Sequence, residues 1–264
     1  MELEIITQQP ATNRGLTPLL FVHGACHAAW CWENFLPFFA ERGYEARALS
    51  LRGHGLSEGR ERILSIPTGE YVEDVAAAVN RMSALPVLIG HSLGGYVVQK
   101  YLETRVARAA VLLASVPASG SINMLLRLTI RHPWLALKFH ATRSAYTLVQ
   151  TPTLAREALF SPSLPPATLN RHFIRLQDES YSAGLDTALF NLPRPDKIRA
   201  LALPMLVLGA ADDALFTPRE IKATAQAYDT QAEIFPDMAH DMMLDTGWQK
   251  VAERIMAWLR ERGL

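Results

Sequence analysis

The sequence predicts an α/β fold: a mostly parallel central sheet flanked by helices, with a helical cap inserted after the strand near 108–115. Three observations carry that expectation. Continuous apolar runs at 19–23 (LLFVH), 86–90 (PVLIG), 108–115 (RAAVLLAS) and 204–209 (PMLVLG) suit strands buried on both faces of a parallel sheet. Stretches with helical periodicity alternate with the first of these runs. The alternation then stops for roughly 80 residues, too long for a plain loop within a compact domain.

Each element has its own signal. Residues 3–7 form a short first strand and 19–23 the second, ending at Gly24. A Trp-rich helical stretch over 32–42 stops at Gly43. Residues 44–51 read as a strand, followed by the loop Arg52-Gly53-His54-Gly55-Leu56-Ser57. The next helix spans 68–82, with Thr68 as N-cap and Val72, Val75, Ala76 and Val79 on one face. The 86–90 strand, a helix over 94–104 and the 108–115 strand follow. Residues 123–140, 153–160 and 166–181 look helical and apolar, cut by Pro133, Pro152, Pro162, Pro165 and Pro166. After the 204–209 strand come a helix at 218–228, a strand at 231–235 and a terminal helix at 247–262. The expected core is therefore 1–116 plus 198–264, and the expected cap is 117–197.

Composition narrows the function classes. The 264 residues are 49% hydrophobic and 20% charged, which is ordinary for a globular chain and argues against disorder. Lys plus Arg and Asp plus Glu both number 26, so no basic excess points to nucleic acid. Arg52, Arg60 and Arg62 are interrupted by Glu58 and Glu61 and read as a solvated loop. Two cysteines, Cys26 and Cys31, make no disulfide framework. His23, Cys26 and His27 lie close together without acidic ligands, so packing or pocket lining is expected rather than metal. Residues 1–10 carry Glu2 and Glu4 and lack the pattern of a secretory signal, and no run is long enough to span a membrane. A cytoplasmic protein acting on a small molecule, without cofactor, is the expectation; oligomeric state is not legible.

The chemistry sits in four separated segments. Gly90-His91-Ser92-Leu93-Gly94 lies between a buried strand and a helix, where G-x-S-x-G places a serine on a sharp turn. Only glycine fits where backbones crowd around such a turn, and the helix start beneath it favours negative charge. Ser92 is thus the candidate nucleophile. His23-Gly24-Ala25 follows the LLFVH strand. The backbone N–H groups of Ala25 and Leu93 are candidate oxyanion donors. A serine nucleophile needs a histidine base and a carboxylate to orient it. Four histidines follow Ser92, and His132, His140 and His172 fall in the cap, leaving His240 after the last strand. Asp212 and Asp213 both follow the 204–209 strand. The spacing to Phe216 and Pro218 favours Asp213, whereas counting from Gly209 favours Asp212.

Together these segments resemble the α/β-hydrolase superfamily, and the Arg52–Ser57 loop resembles its R-G-x-G-x-S segment. Residues 23–32 and 240–245 are further similar to plant methylesterases and hydroxynitrile lyases and to bacterial lysophospholipase-like esterases. The resemblance implies an α/β-hydrolase fold and a triad of Ser92, Asp213 and His240. Two departures matter: the lyases carry threonine where Gly24 stands and lysine where Asp241 stands. Both serve cyanohydrin chemistry, so an esterase is the better expectation.

Gly24, Cys26 and His27 are candidate substrate-binding residues. Met124, Leu125, Leu126, Leu128, Ile130, Trp134, Leu135, Leu137, Phe139 and Tyr146 make the cap apolar. An apolar pocket suits a small to medium lipophilic ester. Other chemistry on the same triad (C–C or lactone hydrolysis, cofactor-free oxygenation) and a non-catalytic ligand-binding protein are the alternatives, because fold does not fix reaction.

Overall fold

The computed structural model describes residues 1–12 and 14–264. Seven strands form one sheet: β1 (Ile5–Gln8), β2 (Leu19–Val22), β3 (Ala46–Leu49), β4 (Val87–His91), β5 (Ala109–Leu113), β6 (Met205–Ala210) and β7 (Ala232–Phe235). Their spatial order is β1-β3-β2-β4-β5-β6-β7. β1 runs antiparallel to β3, and every other pairing is parallel. The four apolar runs became β2, β4, β5 and β6, whose residues are all buried. The edge strands β1 and β7 are only partly covered, so they lack the unbroken apolar runs of the central strands.

The pleat sends alternate residues to opposite faces. Leu19, Phe21, Ile89 and Val111 pack on α1 (Phe35–Ala40) and on a C-terminal helix at Trp248–Glu261. Phe21 there sits 4.9 Å from Trp32 and 5.7 Å from Phe39, ring centre to ring centre. Stripping a buried aromatic of this kind costs about 3–5 kcal/mol. Leu20, Val22, Leu88 and Leu112 pack on α2 (Thr68–Val79), α3 (Leu93–Leu102) and a helix at Pro218–Ala227.

Between β5 and β6 the described chain is helical: α4 (Ile122–Arg131), α5 (Pro133–Thr142), α6 (Pro152–Leu159), α7 (Pro166–Phe173), α8 (Tyr181–Leu185) and α9 (Pro195–Arg199). The helices at Pro218–Ala227 and Trp248–Glu261 complete the set as α10 and α11. The 123–140 stretch is two helices, split where Pro133 was expected to cut it: Pro133 cannot continue α4 and instead opens α5. The expected 166–181 helix ends at Phe173, and 32–42 resolves into a 3-10 turn at Ala29–Trp32 and then α1.

Two local readings are corrected. Thr68 is not the N-cap of α2; Pro67 holds that position, and Thr68 Oγ1 donates to Asp186 at 2.8 Å. Arg52 is not solvated. Its guanidinium grips the buried Asp74 carboxylate at 2.6 Å and also meets Glu70. Among the described residues no helix is long and apolar enough to cross a membrane.

Candidate active site

Parallel sheets gather ligand-handling groups at the carboxyl ends of their strands. Here that edge carries every candidate residue. The register pairs Val22 with Gly90 and Gly90 with Leu112, so the exits of β2, β4 and β5 lie side by side. β4, the middle strand, ends at His91, and Ser92 follows with φ 51° and ψ −118°. That left-handed backbone costs a non-glycine residue of order 1–3 kcal/mol and persists only where the surroundings enforce it. The enforcement is visible. Ser92 N–H donates to Leu113 O at 3.1 Å, and Ser92 O accepts from Tyr96 N–H at 3.2 Å and from Val116 N–H at 3.1 Å. A Cβ at Gly94 would stand 2.2 Å from Val22 O and 2.4 Å from His23 O. Both are backbone atoms of β2 and its exit, so no side chain fits there.

β6 leads into Asp213 and β7 into His240. His240 Nδ1 donates to Asp213 Oδ2 at 2.8 Å, and both side chains are buried. The other carboxylate oxygen, Oδ1, accepts from Leu215 N–H at 2.7 Å and Phe216 N–H at 3.0 Å. Asp212 is exposed, so of the two adjacent aspartates the fold brings Asp213 to the histidine. Burial alone would lower the His240 pKa, but the Asp213 carboxylate raises it above the ordinary 6.5, with Asp241 adding to the effect. His240 Nδ1 donates to Asp213, and its carbonyl accepts from His91 Nε2–H and from Met242 N–H; no hydrogen bond joins His240 to Ser92. Contacts between base and nucleophile are often long until substrate binds.

Ser92 and His240 line one cavity of about 150 Å³ with Ala25, Leu93, Cys26 and His27. Asp213 and Gly24 stand behind that lining. Gly24 is a close-packing position: a Cβ there would lie 2.6 Å from His91 Nδ1 and 2.9 Å from Ser92 Cβ. The threonine of the lyase branch would therefore displace His91. From the inserted helices, Met124, Leu125, Phe139, Leu148, Leu159 and Tyr181 close the cavity with largely apolar surface. Of the residues that make the cap apolar, Leu126, Ile130, Trp134 and Leu137 face solvent.

Two buried carboxylates near the cavity escaped the sequence reading. Asp241 Oδ2 accepts from His27 Nε2 at 3.0 Å, and His27 Nδ1 meets Ala25 O at 2.8 Å. This ties the Ala25 loop to the His240 loop across 214 residues of sequence. Burial would raise the Asp241 pKa, yet His27 beside it holds it below the usual carboxylate range. Removing one partner of a buried pair strands the other without compensation. Asp241→Ala is therefore expected to destabilise the fold by about 3–5 kcal/mol, read as a lower midpoint in urea unfolding. An unchanged midpoint would remove the pair's structural role.

Glu179 also lines the cavity. It accepts from Tyr71 Oη at 2.6 Å and Ser180 N–H at 2.6 Å, and its other oxygen lies 3.1 Å from His54 Nε2. Burial would raise its pKa, but His54 holds it below the usual range. The loop reading for Arg52–Ser57 gave no hint that His54 serves a carboxylate from the inserted segment.

His91 and His23 are committed locally. Burial pushes His91 down to about 3, so it is neutral, and its Nε2–H donates to His240 O at 3.0 Å. His23 Nε2 accepts from Leu51 N–H at 3.0 Å, which leaves Nδ1–H to donate to Gly24 O at 2.8 Å. His91, His240 and Asp241 bring ligand-type atoms within 4.8 Å of one another, with one nitrogen of each ring tied by the contacts above.

Comparison with known proteins agrees with this architecture. The profile of the Alpha/beta hydrolase family matches residues 19–254. Methylesterase 3 of Arabidopsis thaliana is 31% identical over 134 residues, covering 46% of this chain and 50% of that protein. The chain spans half or less of the length of the plant relatives it matches. A pyrethroid hydrolase from Sphingobium wenxiniae is 28% identical over 224 residues, 76% of this chain and 72% of that protein. A thermophilic esterase from Thermogutta terrifontis superposes with a TM-score of 0.75 at 20% identity, over 98% of this chain and 94% of that one. At that identity the superposition speaks for the fold alone. With its sheet topology, its strand–serine–helix turn and a family profile spanning most of its length, the chain belongs to the alpha/beta hydrolase family.

Proposed function

We propose that this protein is a serine hydrolase cleaving a carboxylic ester of a small to medium lipophilic substrate through an acyl-enzyme. The observation that carries the reading is the convergence on one apolar cavity of a strained Ser92 and a His240 already bound to a buried carboxylate. The similarity to methylesterases and to a pyrethroid hydrolase supports an ester as the substrate.

The steps follow from the groups present. His240 Nε2 takes the Ser92 hydroxyl proton as Oγ bonds the ester carbonyl carbon. The carbonyl oxygen becomes an oxyanion, held by the N–H groups of Ala25 and Leu93 at the start of α3. Asp213 stabilises the imidazolium across the 2.8 Å contact. The C–O bond to the alcohol breaks, and His240 returns its proton to that alcohol. Water, deprotonated by His240, then attacks the acyl-enzyme and releases the acid and free Ser92. The helices over residues 117–197 act as a cap that supplies the apolar walls.

The test is hydrolysis of p-nitrophenyl esters from short to long acyl chain, followed against pH. Turnover with an optimum at short to medium chains is the expected result, and no turnover of any ester by folded protein would contradict it. The pH profile has a definite sign. His240 works as a base only when neutral, and its pKa is raised. Activity is therefore lost as pH falls through a midpoint above 6.5. An acid limb at or below that value would contradict the role of Asp213 and His240.

A further inference from the structure

We infer that the α4–α5 hairpin docks the protein onto an anionic lipid surface, beside a second cavity that adjoins the one holding Ser92. The apolar half of the argument is exposure. Leu126 is 54% and Ile130 82% exposed on α4, and Trp134 is 81% and Leu137 58% exposed on α5. Each pair lies about one helical turn apart, so each presents a single ridge. Pro133 turns the chain between them, which brings four large apolar side chains onto one hairpin. Exposed apolar groups clustered in this way mark a surface that meets something else. Tryptophan beside aliphatic side chains and Lys or Arg is the composition of an interfacial helix.

The electrostatic half selects the occupant. The chain as a whole is neutral, with 26 basic and 26 acidic residues. Between Glu103 and Glu157, however, there is no Asp or Glu and there are seven Arg or Lys. Three of these, Arg131, Lys138 and Arg143, sit on or at the end of the hairpin. Arg131 is paired with Glu157 at 2.8 Å. Lys138 donates only to the neutral Gln150 side chain at 2.7 Å, and among the described residues no carboxylate pairs with Arg143. A second copy of this chain would bring the same cations to the contact and repel them. An anionic lipid surface takes up the apolar ridges and the cations together.

The cavity behind the hairpin gives the docking a consequence. It has a volume of about 340 Å³ and is lined by Ile130, Arg131, His132 and Leu135 of the hairpin. It shares Met124, Leu148, Ala158 and Leu215 with the cavity holding Ser92 and His240. Those shared side chains stand between the two cavities, so a lipophilic ester taken up at the hairpin would be separated from the site by one layer of apolar side chains. That second half rests on the ester-hydrolase reading; the docking itself does not.

The test is cosedimentation of the full chain with vesicles of phosphatidylcholine alone and of phosphatidylcholine with phosphatidylglycerol at roughly one lipid in three. Binding to the anionic vesicles only, weakened by added salt, is the expected result. Trp134→Ser/Leu137→Ser is expected to bind about tenfold more weakly or worse, and Lys138→Glu/Arg143→Glu to lose a similar factor. Neither pair lines a cavity, so hydrolysis of a water-soluble short ester and the melting temperature should stay at wild-type values. Absence of binding to anionic vesicles would overturn the proposal, as would equal binding by the Trp134/Leu137 variant. A dimer in solution that the same variant makes monomeric would assign the patch to a second copy and overturn it too. Vesicle binding needs no turnover, so a failed docking and a failed ester-hydrolase reading are read separately.

Discussion

Ser92→Ala is expected to lower kcat by about 10⁶-fold, the scale on which losing the nucleophile silences a serine hydrolase. The variant should fold. The Ser92 side chain makes no capping hydrogen bond to α3, and its backbone bonds to Leu113, Tyr96 and Val116 need no hydroxyl. Alanine removes the one atom that can become covalently attached and leaves the cavity otherwise as it was. A steady-state assay beside a melting curve checks this. Loss of activity without loss of melting temperature is the predicted pair of results. Activity within tenfold of wild type would mean that some other group attacks the ester.

Asp213→Asn is expected to cost about 10⁴-fold in kcat, and the reason lies in the contacts of Asp213. Its Oδ1 accepts two backbone N–H groups, from Leu215 and Phe216. An asparagine must keep its carbonyl oxygen there, because an NH₂ would face two donors. The NH₂ then turns toward His240 Nδ1, where Asp213 Oδ2 now accepts at 2.8 Å. Nδ1 would become the acceptor and the proton would move to Nε2. A ring protonated at Nε2 cannot take the proton of Ser92. The shape of the site survives and its tautomer is wrong. A ring-nitrogen NMR spectrum of the variant reads the tautomer directly, and a variant retaining near wild-type kcat would contradict the triad.

The site divides cleanly into what local sequence could and could not reveal. Ser92 was legible as a candidate because the glycines its turn requires, Gly90 and Gly94, flank it within five residues. His240 was legible by position, as a histidine following the last strand. Asp213 and Asp212 remained alternatives because adjacent residues differ only in which way the turn points them. The backbone bonds of Asp213 to Leu215 and Phe216 decide that direction. What Asp241 and Glu179 bind was invisible for a different reason. Their partners, His27, His54 and Tyr71, lie far off in sequence, and nothing local distinguishes a buried carboxylate from a solvated one.

The fold follows the same division. Strands buried on both faces announced themselves as unbroken apolar runs, and β2, β4, β5 and β6 lie where those runs lie. Among the inserted helices the apolar content was plain, but its direction was not. Met124 and Phe139 turn to the catalytic cavity while Leu126 and Trp134 turn to solvent. Composition cannot separate an inward from an outward leucine when the helices are short and proline sets each of their starts.

Covalent labelling of the intact protein with a lipophilic fluorophosphonate, followed by peptide mass spectrometry, tests the central claim most directly. The phosphonyl group traps an activated serine at phosphorus and cannot be released as an acyl group would be. One equivalent of label on the peptide containing Ser92, lost in Asp213→Asn and absent from Ser92→Ala, is the predicted result. No label on folded wild-type protein, or label on another residue while Ser92→Ala still turns over ester, would contradict the assignment of Ser92 as the nucleophile.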